Sequence, residues 1–295
     1  MYPNNNLLHT QDQPTVADKP KNTNRYLKIA ISALAVITFI TGCSSTKHLR
    51  TPDRYQNGYT IVLPGVEGRS RLNTNIAEGL NEGGVKSAIE IYDWTAFRLF
   101  TVIINLRAEL RNKKEARKIA RKIISYQNRY PGKPVHIVGH SGGGCIAVLA
   151  LEALPPERKV QSVILLAPAI TPEYDLRRAL RRTENGIWNF YSPRDVFFLK
   201  FGTTIMGTVD GLHTYAAGAV GFSLPWGLDQ QDRLLYKNKL HQNCYNQKMT
   251  QNGHPGTHIG WSNRKFVAEW LAPIINTQMD NKTPKAPAKP AQQNN

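Results

Sequence analysis

The chain has 295 residues, enough for one large domain or two ordinary ones with a sizeable core. Thirty-eight Lys and Arg against 21 Asp and Glu give a net charge of +17, with 41% apolar and 20% charged residues, which excludes a wholly disordered chain and an acidic protein. Three cysteines (Cys43, Cys145, Cys244) with no CxxC pair exclude a disulfide-rich scaffold and argue against a structural zinc site, and a single concentrated apolar segment excludes a polytopic membrane protein.

Residues 1–24 are polar and rich in Asn, Gln, Pro and Thr, a composition that does not repay chain ordering, and disorder is expected. Arg25 and Lys28 then precede an apolar run from Ile29 to Ile40 and the small residues Thr41-Gly42 before Cys43, the charged, apolar, small order of a secretory signal. The run falls short of the roughly 20 residues that a spanning helix needs. Ile40-Thr41-Gly42-Cys43 resembles the lipobox of bacterial lipoproteins, in which small residues admit the peptidase and the cysteine thiol accepts a diacylglycerol. The resemblance implies a mature chain that begins at Cys43 and is lipid-anchored in the cell envelope, facing outward. Ser44 and Ser45, with no Asp beside the cysteine, leave both the outer and the cytoplasmic membrane open. The competing reading is a buried or interfacial helix that ends in Gly-Cys. The expected organisation is a leader and signal peptide over 1–42, a lipidated linker over 43–57, a folded domain over 58–276 and a solvated tail over 277–295 carrying Pro284, Pro287 and Pro290.

Tyr59 to Leu63 reads as a strand stopped by Pro64-Gly65, and Ala88 to Tyr92 as a second stopped by Asp93. Thr74 to Asn81 between them predicts a short helix ended by Gly83-Gly84. From about Asn105 to Arg129, Leu106, Leu110, Ile119, Ile123 and Ile124 fall at helical spacing among basic residues. Val135 to Gly139 is the next strand, Gly143 to Ala153 the next helix, and Ser162 to Leu166 and Ile187 to Tyr191 are further strands. Short apolar strands alternating with helices predict an α/β fold with a mostly parallel sheet covered on both faces.

Gly139-His140-Ser141-Gly142-Gly143 matches G-x-S-x-G with a strand before it and a helix after it. A serine there sits in a strained turn, and a β-carbon at either flanking glycine would collide with the neighbouring strand or helix. The turn lifts the Ser141 hydroxyl clear of the sheet, and the Gly142 N–H, at a helix start, points where an oxyanion would form. Here the sequence resembles the α/β-hydrolase superfamily, from about Tyr59 to Leu271, and within it uncharacterised bacterial lipoprotein hydrolases. The resemblance implies a serine hydrolase with nucleophile, acid and histidine in that chain order, needing no metal and no organic cofactor.

In that order Asp195, in Asn189-Phe190-Tyr191-Ser192-Pro193-Arg194-Asp195, is the candidate acid, and its alternative is a turn aspartate beside Pro193. Two histidines compete for the base just before the final helix, Lys265 to Leu271: His258, whose Ile259-Gly260-Trp261 fits the His-x-Gly pattern better and makes it the candidate, and His254, which precedes Pro255, as the runner-up. Leu63-Pro64-Gly65-Val66-Glu67-Gly68 should supply the second oxyanion donor, the N–H of Val66 or of Glu67, with Gly65 letting the backbone turn inward. Between Asp195 and His258 the last strand and a lid-like insertion of about 200–250 are expected. Its apolar, glycine-rich first half holds a second acid and base, Asp210 and His213, as runners-up. Cys145 is expected in the core and unpaired with Cys244.

Basic residues crowd the helix after the second strand, including Arg107, Arg111, Lys113 and Lys114, and Arg177, Arg178, Arg181 and Arg182 form a second cluster. A solvated helix face is the plain reading; with an acyl anchor, the patches suit an anionic envelope surface. No nucleic-acid motif accompanies the charge, so no nucleic-acid partner is expected. The whole predicts an envelope-anchored esterase acting on a small-molecule ester or lipid, with thioesterase, amidase and lipase chemistries and the oligomeric state left open. A non-catalytic binding module of the same fold and a basic tether for anionic polymers are the alternatives.

Overall fold

Every side chain of Tyr59–Leu63 (β1) is buried, as a five-residue β-branched run predicts for a central parallel strand. In the computed structural model, which describes residues 45–95, 105–195 and 216–280, five further strands join it. They are β2 (Ala88–Ile91), β3 (Val135–His140), β4 (Ser162–Leu166), β5 (Ile187–Tyr191) and β6 (Leu240–Cys244). Their order is β2-β1-β3-β4-β5-β6, and every pairing is parallel. The chain reverses its direction of travel across the sheet between β1 and β3. This is the switch point at which open parallel sheets hold ligands beyond their carboxyl ends. The expected leader, Cys43, Leu106, Asp210, His213 and the C-terminal tail lie outside the described residues or side chains, as does most of the expected lid.

The helices are α1 (Pro52–Asn57), α2 (Arg71–Glu82), α3 (Asn105–Arg129), α4 (Gly142–Glu152), α5 (Arg177–Leu180), α6 (Ala217–Val220), α7 (Gln230–Lys239) and α8 (Gln247–Gln251). A final helix starts at Arg264–Phe266, passes a π-helical turn over Val267–Leu271 and ends as Ala272–Asp280 (α9). Alternation along the strands divides the core in two. Ile61, Leu63, Ile137, Val163, Leu165 and Ile187 pack with α3, α4 and α5, whereas Val62, Val138, Ile164, Leu166 and Phe190 pack with α2 and the final helix.

Two local readings are corrected. Helix α2 begins at Arg71, three residues before Thr74, because Ser70 caps it: Ser70 Oγ accepts the Leu72 N–H (3.3 Å) and Asn73 Oδ1 accepts the Ser70 N–H (2.9 Å). Asn at the third position thus closes a capping box usually read from Glu or Gln. In α3 the boundaries are as expected, but Leu110 is 69% exposed. The buried stripe is Asn112, Ala116, Ile119, Ala120, Ile123 and Tyr126, and Leu110 shares its face with exposed Lys113, Lys114 and Arg117.

Candidate active site

Ser141 links β3 to α4 with φ 53° and ψ −119°, a conformation rare for a residue with a β-carbon. Hydrogen bonds hold it there: its N–H donates to Leu166 O (2.9 Å), and its carbonyl accepts from the N–H groups of Gly144 (3.0 Å) and Ala169 (3.1 Å). The glycines make room for the turn. A β-carbon at Gly139 would lie 2.6 Å from Gly143 O, and one at Gly143 would strike the carbonyls of Leu63 and Pro64. At Gly144 it would meet Pro168 at 2.8 Å. The N–H groups of Gly142 and Gly143, the first two of α4, lie at its positive end.

His258 and Asp195 arrive from other elements. Asp195 follows β5 in a turn closed by its N–H on Ser192 O (3.0 Å), and His258 opens a short 3₁₀ turn, His258–Ser262, ahead of the final helix. Both are buried, and His258 Nδ1 lies 2.6 Å from Asp195 Oδ2. The ring of His258 is 4.8 Å, centroid to centroid, from that of His140, the residue before Ser141. The three candidates, 54 and 63 residues apart in sequence, thus converge at the carboxyl end of the sheet.

His254 lies elsewhere in its loop. Fully buried, it accepts the Gly256 N–H on Nδ1 (2.8 Å) and is wrapped by Trp261, Phe266 and Tyr245 rings at 3.9, 4.9 and 5.3 Å. Burial pushes its imidazole down to about 4, so it stays neutral at pH 7 and holds the turn. Cys145 and Cys244 are both free thiols; burial raises that of Cys145 to about 12, far from a nucleophile's range.

Three participants were not read from the sequence. Ser192 is fully buried, donates its hydroxyl to Gly256 O (2.7 Å) and accepts the Arg194 N–H (3.2 Å), so the acid loop is fastened to the histidine loop. His140 donates from Nε2 to the His258 carbonyl (3.2 Å); burial first, and then the nearby His258, push it down to about 3, so it is a neutral strut. Its signal was present, as the variable position of G-x-S-x-G, but nothing local says that it faces a residue 118 positions away. Third is the Glu67 side chain.

The loop after β1 lies against the elbow. Trp94 Nε1 donates to Pro64 O (2.7 Å), and a β-carbon on Gly142 would be 3.1 Å from Val66 Cγ1. Gly65 has an ordinary negative φ, so its role is space: a β-carbon there would strike the Glu67 carboxylate and reach 3.3 Å from Ser141 Cβ. That carboxylate accepts the Gly65 N–H (3.3 Å), and Asn73 Nδ2 donates to it (3.4 Å). Val66 or Glu67 was expected to offer an N–H; the Glu67 carboxylate folds back on that same loop and accepts at Gly65. Burial makes the Glu67 carboxyl a weaker acid than usual, pushing its pKa up, while backbone N–H groups and His258 pull it down.

Among the described residues no group of three or more His, Cys, Asp or Glu is placed to hold a metal ion, and no helix is long and apolar enough to cross a membrane. A cavity of about 490 Å³ lined by Leu154, Pro156, Arg178, Arg181 and Arg182 lies at the far end of α4 from Ser141 and shares no residue with the site.

Residues 115–194 match the family model described as serine aminopeptidase, S33. No curated protein matches the chain. Among solved structures it is similar to an esterase of Pyrococcus furiosus, with 13% identity over 81% of this chain and 98% of that one and a TM-score of 0.48. It is also similar to lipase B of Aspergillus fumigatus (12% identity, 79% and 58% covered, TM-score 0.46) and to Est1E from Butyrivibrio proteoclasticus (16%, 78% and 92%, TM-score 0.43). The six-stranded parallel sheet with helices on both faces and the elbow between β3 and α4 make this the α/β-hydrolase fold.

Proposed function

We propose that the protein is a serine hydrolase of the cell envelope, held by a lipid on Cys43, that cleaves carboxylic esters by acyl transfer through Ser141, His258 and Asp195. The observation that carries this reading is the buried His258–Asp195 pair at 2.6 Å, set beside a serine held in a strained turn. Asp195 accepts from His258 Nδ1, which leaves Nε2 as the base. His258 Nε2 takes the Ser141 proton as Oγ bonds to the ester carbonyl carbon, and the charge moves to the carbonyl oxygen. The Gly142 N–H and an N–H of the Val66–Glu67 loop stabilise that oxyanion, the latter once the Glu67 carboxylate has moved aside. Collapse expels the alcohol, which leaves with the proton from Nε2. Water then attacks the acyl-enzyme by the same route and releases the acid.

Esters are favoured over amides only as the common substrates of this machinery; the same triad serves thioesters and amides. The test treats the full chain with a fluorescent fluorophosphonate and with short and long p-nitrophenyl esters, beside Ser141→Ala and His258→Ala. Labelling and turnover lost in both variants are expected. A folded protein that neither labels nor turns over esters refutes the proposal and makes the protein a binding module.

A further inference from the structure

The cavity at the close of α4 is walled by cations and carbon and, among the described residues, by no carboxylate. Leu154, Pro155 and Pro156 form one part of the wall and the side chains of Arg178, Arg181 and Arg182 the other, around a space of about 490 Å³. Ser141 stands at the opposite end of α4, whose 11 residues make about 16 Å of helix. A ligand held here would not touch the candidate triad.

Crowded like charges repel, so the counter-ions decide what the wall attracts. Asp232, buried at the start of α7, accepts from Arg177 Nη1 (2.7 Å) and Arg181 Nη2 (2.6 Å), and Asp175 accepts from Arg177 Nη2 (2.7 Å). Two cations and two carboxylates balance there, and Arg181 is fixed in the wall. Arg182 Nε donates to Leu154 O (3.1 Å), a carbonyl just past the end of α4, and its two terminal nitrogens have no hydrogen-bond partner among the described residues. Arg178 makes no hydrogen bond and no ion pair among the described residues. Glu152 stands outside the wall: burial pushes its carboxyl up, and the Tyr174 hydroxyl, Arg178 and Lys113 of α3 pull it down. Arg178 and Arg182 therefore bring two positive charges to one concave wall that holds no carboxylate.

We propose that this cavity binds the phosphate of a small phosphomonoester, with Arg178 and Arg182 as its main donors and Arg181 beside them. A phosphomonoester carries close to two negative charges at pH 7, which matches the two guanidinium groups, and their planar forks suit paired bonds to phosphate oxygens. The space is several times that of a phosphate alone, so an organic group accompanies it, and Leu154, Pro155 and Pro156 offer carbon faces to that group. The carbonyl end of α4 repels an anion, but Arg182 covers the nearest carbonyl, and its bond there and that of Arg181 to Asp232 order both side chains before a ligand arrives. Neither a lipid on Cys43 nor any step at Ser141 is needed for this binding. A soluble phosphomonoester and the headgroup of phosphatidic acid present the same chemistry, and two arms of one experiment tell them apart.

In the first arm glycerol 3-phosphate and, separately, inorganic phosphate are titrated into the full chain by calorimetry. In the second, vesicles of phosphatidylcholine with and without phosphatidic acid are floated with the chain. Saturable binding of one glycerol 3-phosphate per chain is expected, tighter than that of inorganic phosphate and accompanied by a higher melting temperature. Arg178→Gln should weaken it at least about tenfold, the loss of one charge-assisted contact, and leave the melting temperature of the ligand-free chain unchanged. Arg182→Gln should weaken it as well and also lower the melting temperature, because Arg182 caps α4. Arg121→Gln removes the same charge from the side of α3 that acts on Tyr92 and should leave binding unchanged. Binding to phosphatidic acid vesicles alone, lost in Arg178→Gln, supports the site with the lipid headgroup as its source. No binding in either arm, inorganic phosphate bound as tightly as the ester, binding unchanged in Arg178→Gln, or an equal loss in Arg121→Gln overturns the site.

Discussion

Replacing Ser192 by alanine separates the scaffold of the site from its reacting groups. The hydroxyl is fully buried, donates to Gly256 O at 2.7 Å and accepts the Arg194 N–H at 3.2 Å. Alanine leaves the buried Gly256 carbonyl without its donor, a loss of about 1–3 kcal/mol. The Arg194 amide has the longer bond and lies nearer solvent, so the carbonyl dominates, and about 2 kcal/mol is the working figure. For a domain of this size that lowers the melting temperature by roughly 4–8 °C. The functional cost comes from slack. Ser192 sits three residues before Asp195, Gly256 sits two before His258, and the imidazole must be held to within a fraction of an ångström. A misplacement of about 1 Å costs on the order of 100-fold in rate. The assay is thermal denaturation with p-nitrophenyl ester kinetics on Ser192→Ala beside Ser192→Thr, which retains a hydroxyl. A fall in kcat of about 10- to 100-fold with KM little changed, partly recovered by threonine, is expected. A variant with unchanged melting temperature and kcat would refute the idea that this bond fastens the two loops.

His254 and His258 are told apart by pH and activity. The neutral, buried His254 is held below its unfolded value, so the unfolded chain binds the extra proton more readily; stability is full above about pH 6.5 and falls as pH drops towards 4. Asparagine can offer its side-chain carbonyl to the Gly256 N–H, so His254→Asn should flatten that acid limb by at most about one proton and keep ester turnover; loss of turnover would return His254 to candidacy as the base. Glu67→Gln removes a negative charge that competes with the oxyanion for N–H donors, and several-fold faster fluorophosphonate labelling is the expected readout, with slower labelling counting against the oxyanion assignment. Gly143→Ala drives a β-carbon into the carbonyls of Leu63 and Pro64, and should cost about 3 kcal/mol or more and abolish labelling; a variant that melts and labels like the parent would show that the elbow has slack.

Local chemistry wrote much of this protein into its sequence. The five-residue apolar runs became strands at Tyr59–Leu63, Ser162–Leu166 and Ile187–Tyr191, because a strand buried on both faces needs continuous apolar character. The elbow was legible for the same reason, since a strained serine flanked by glycines is a short-range requirement and leaves a short-range pattern. The sixth strand was expected somewhere before His258 but not placed, because Leu240-His241-Gln242-Asn243-Cys244 lies at the sheet's edge, where burial does not demand apolar residues.

What the sequence left open were choices between close neighbours. His254 and His258 share one loop and differ by the side of the turn they face, which the rings around one and Asp195 beside the other decide. The choice between Val66 and Glu67 as donor involves a side chain that folds back on its own loop, an arrangement with no periodicity to announce it. The fastening of Ser192 to Gly256 and of His140 to the His258 carbonyl joins segments 64 and 118 residues apart. Patterns along a chain record which residues must be buried or bent; which buried groups then meet is set by packing of the whole, and only the tertiary structure decides it.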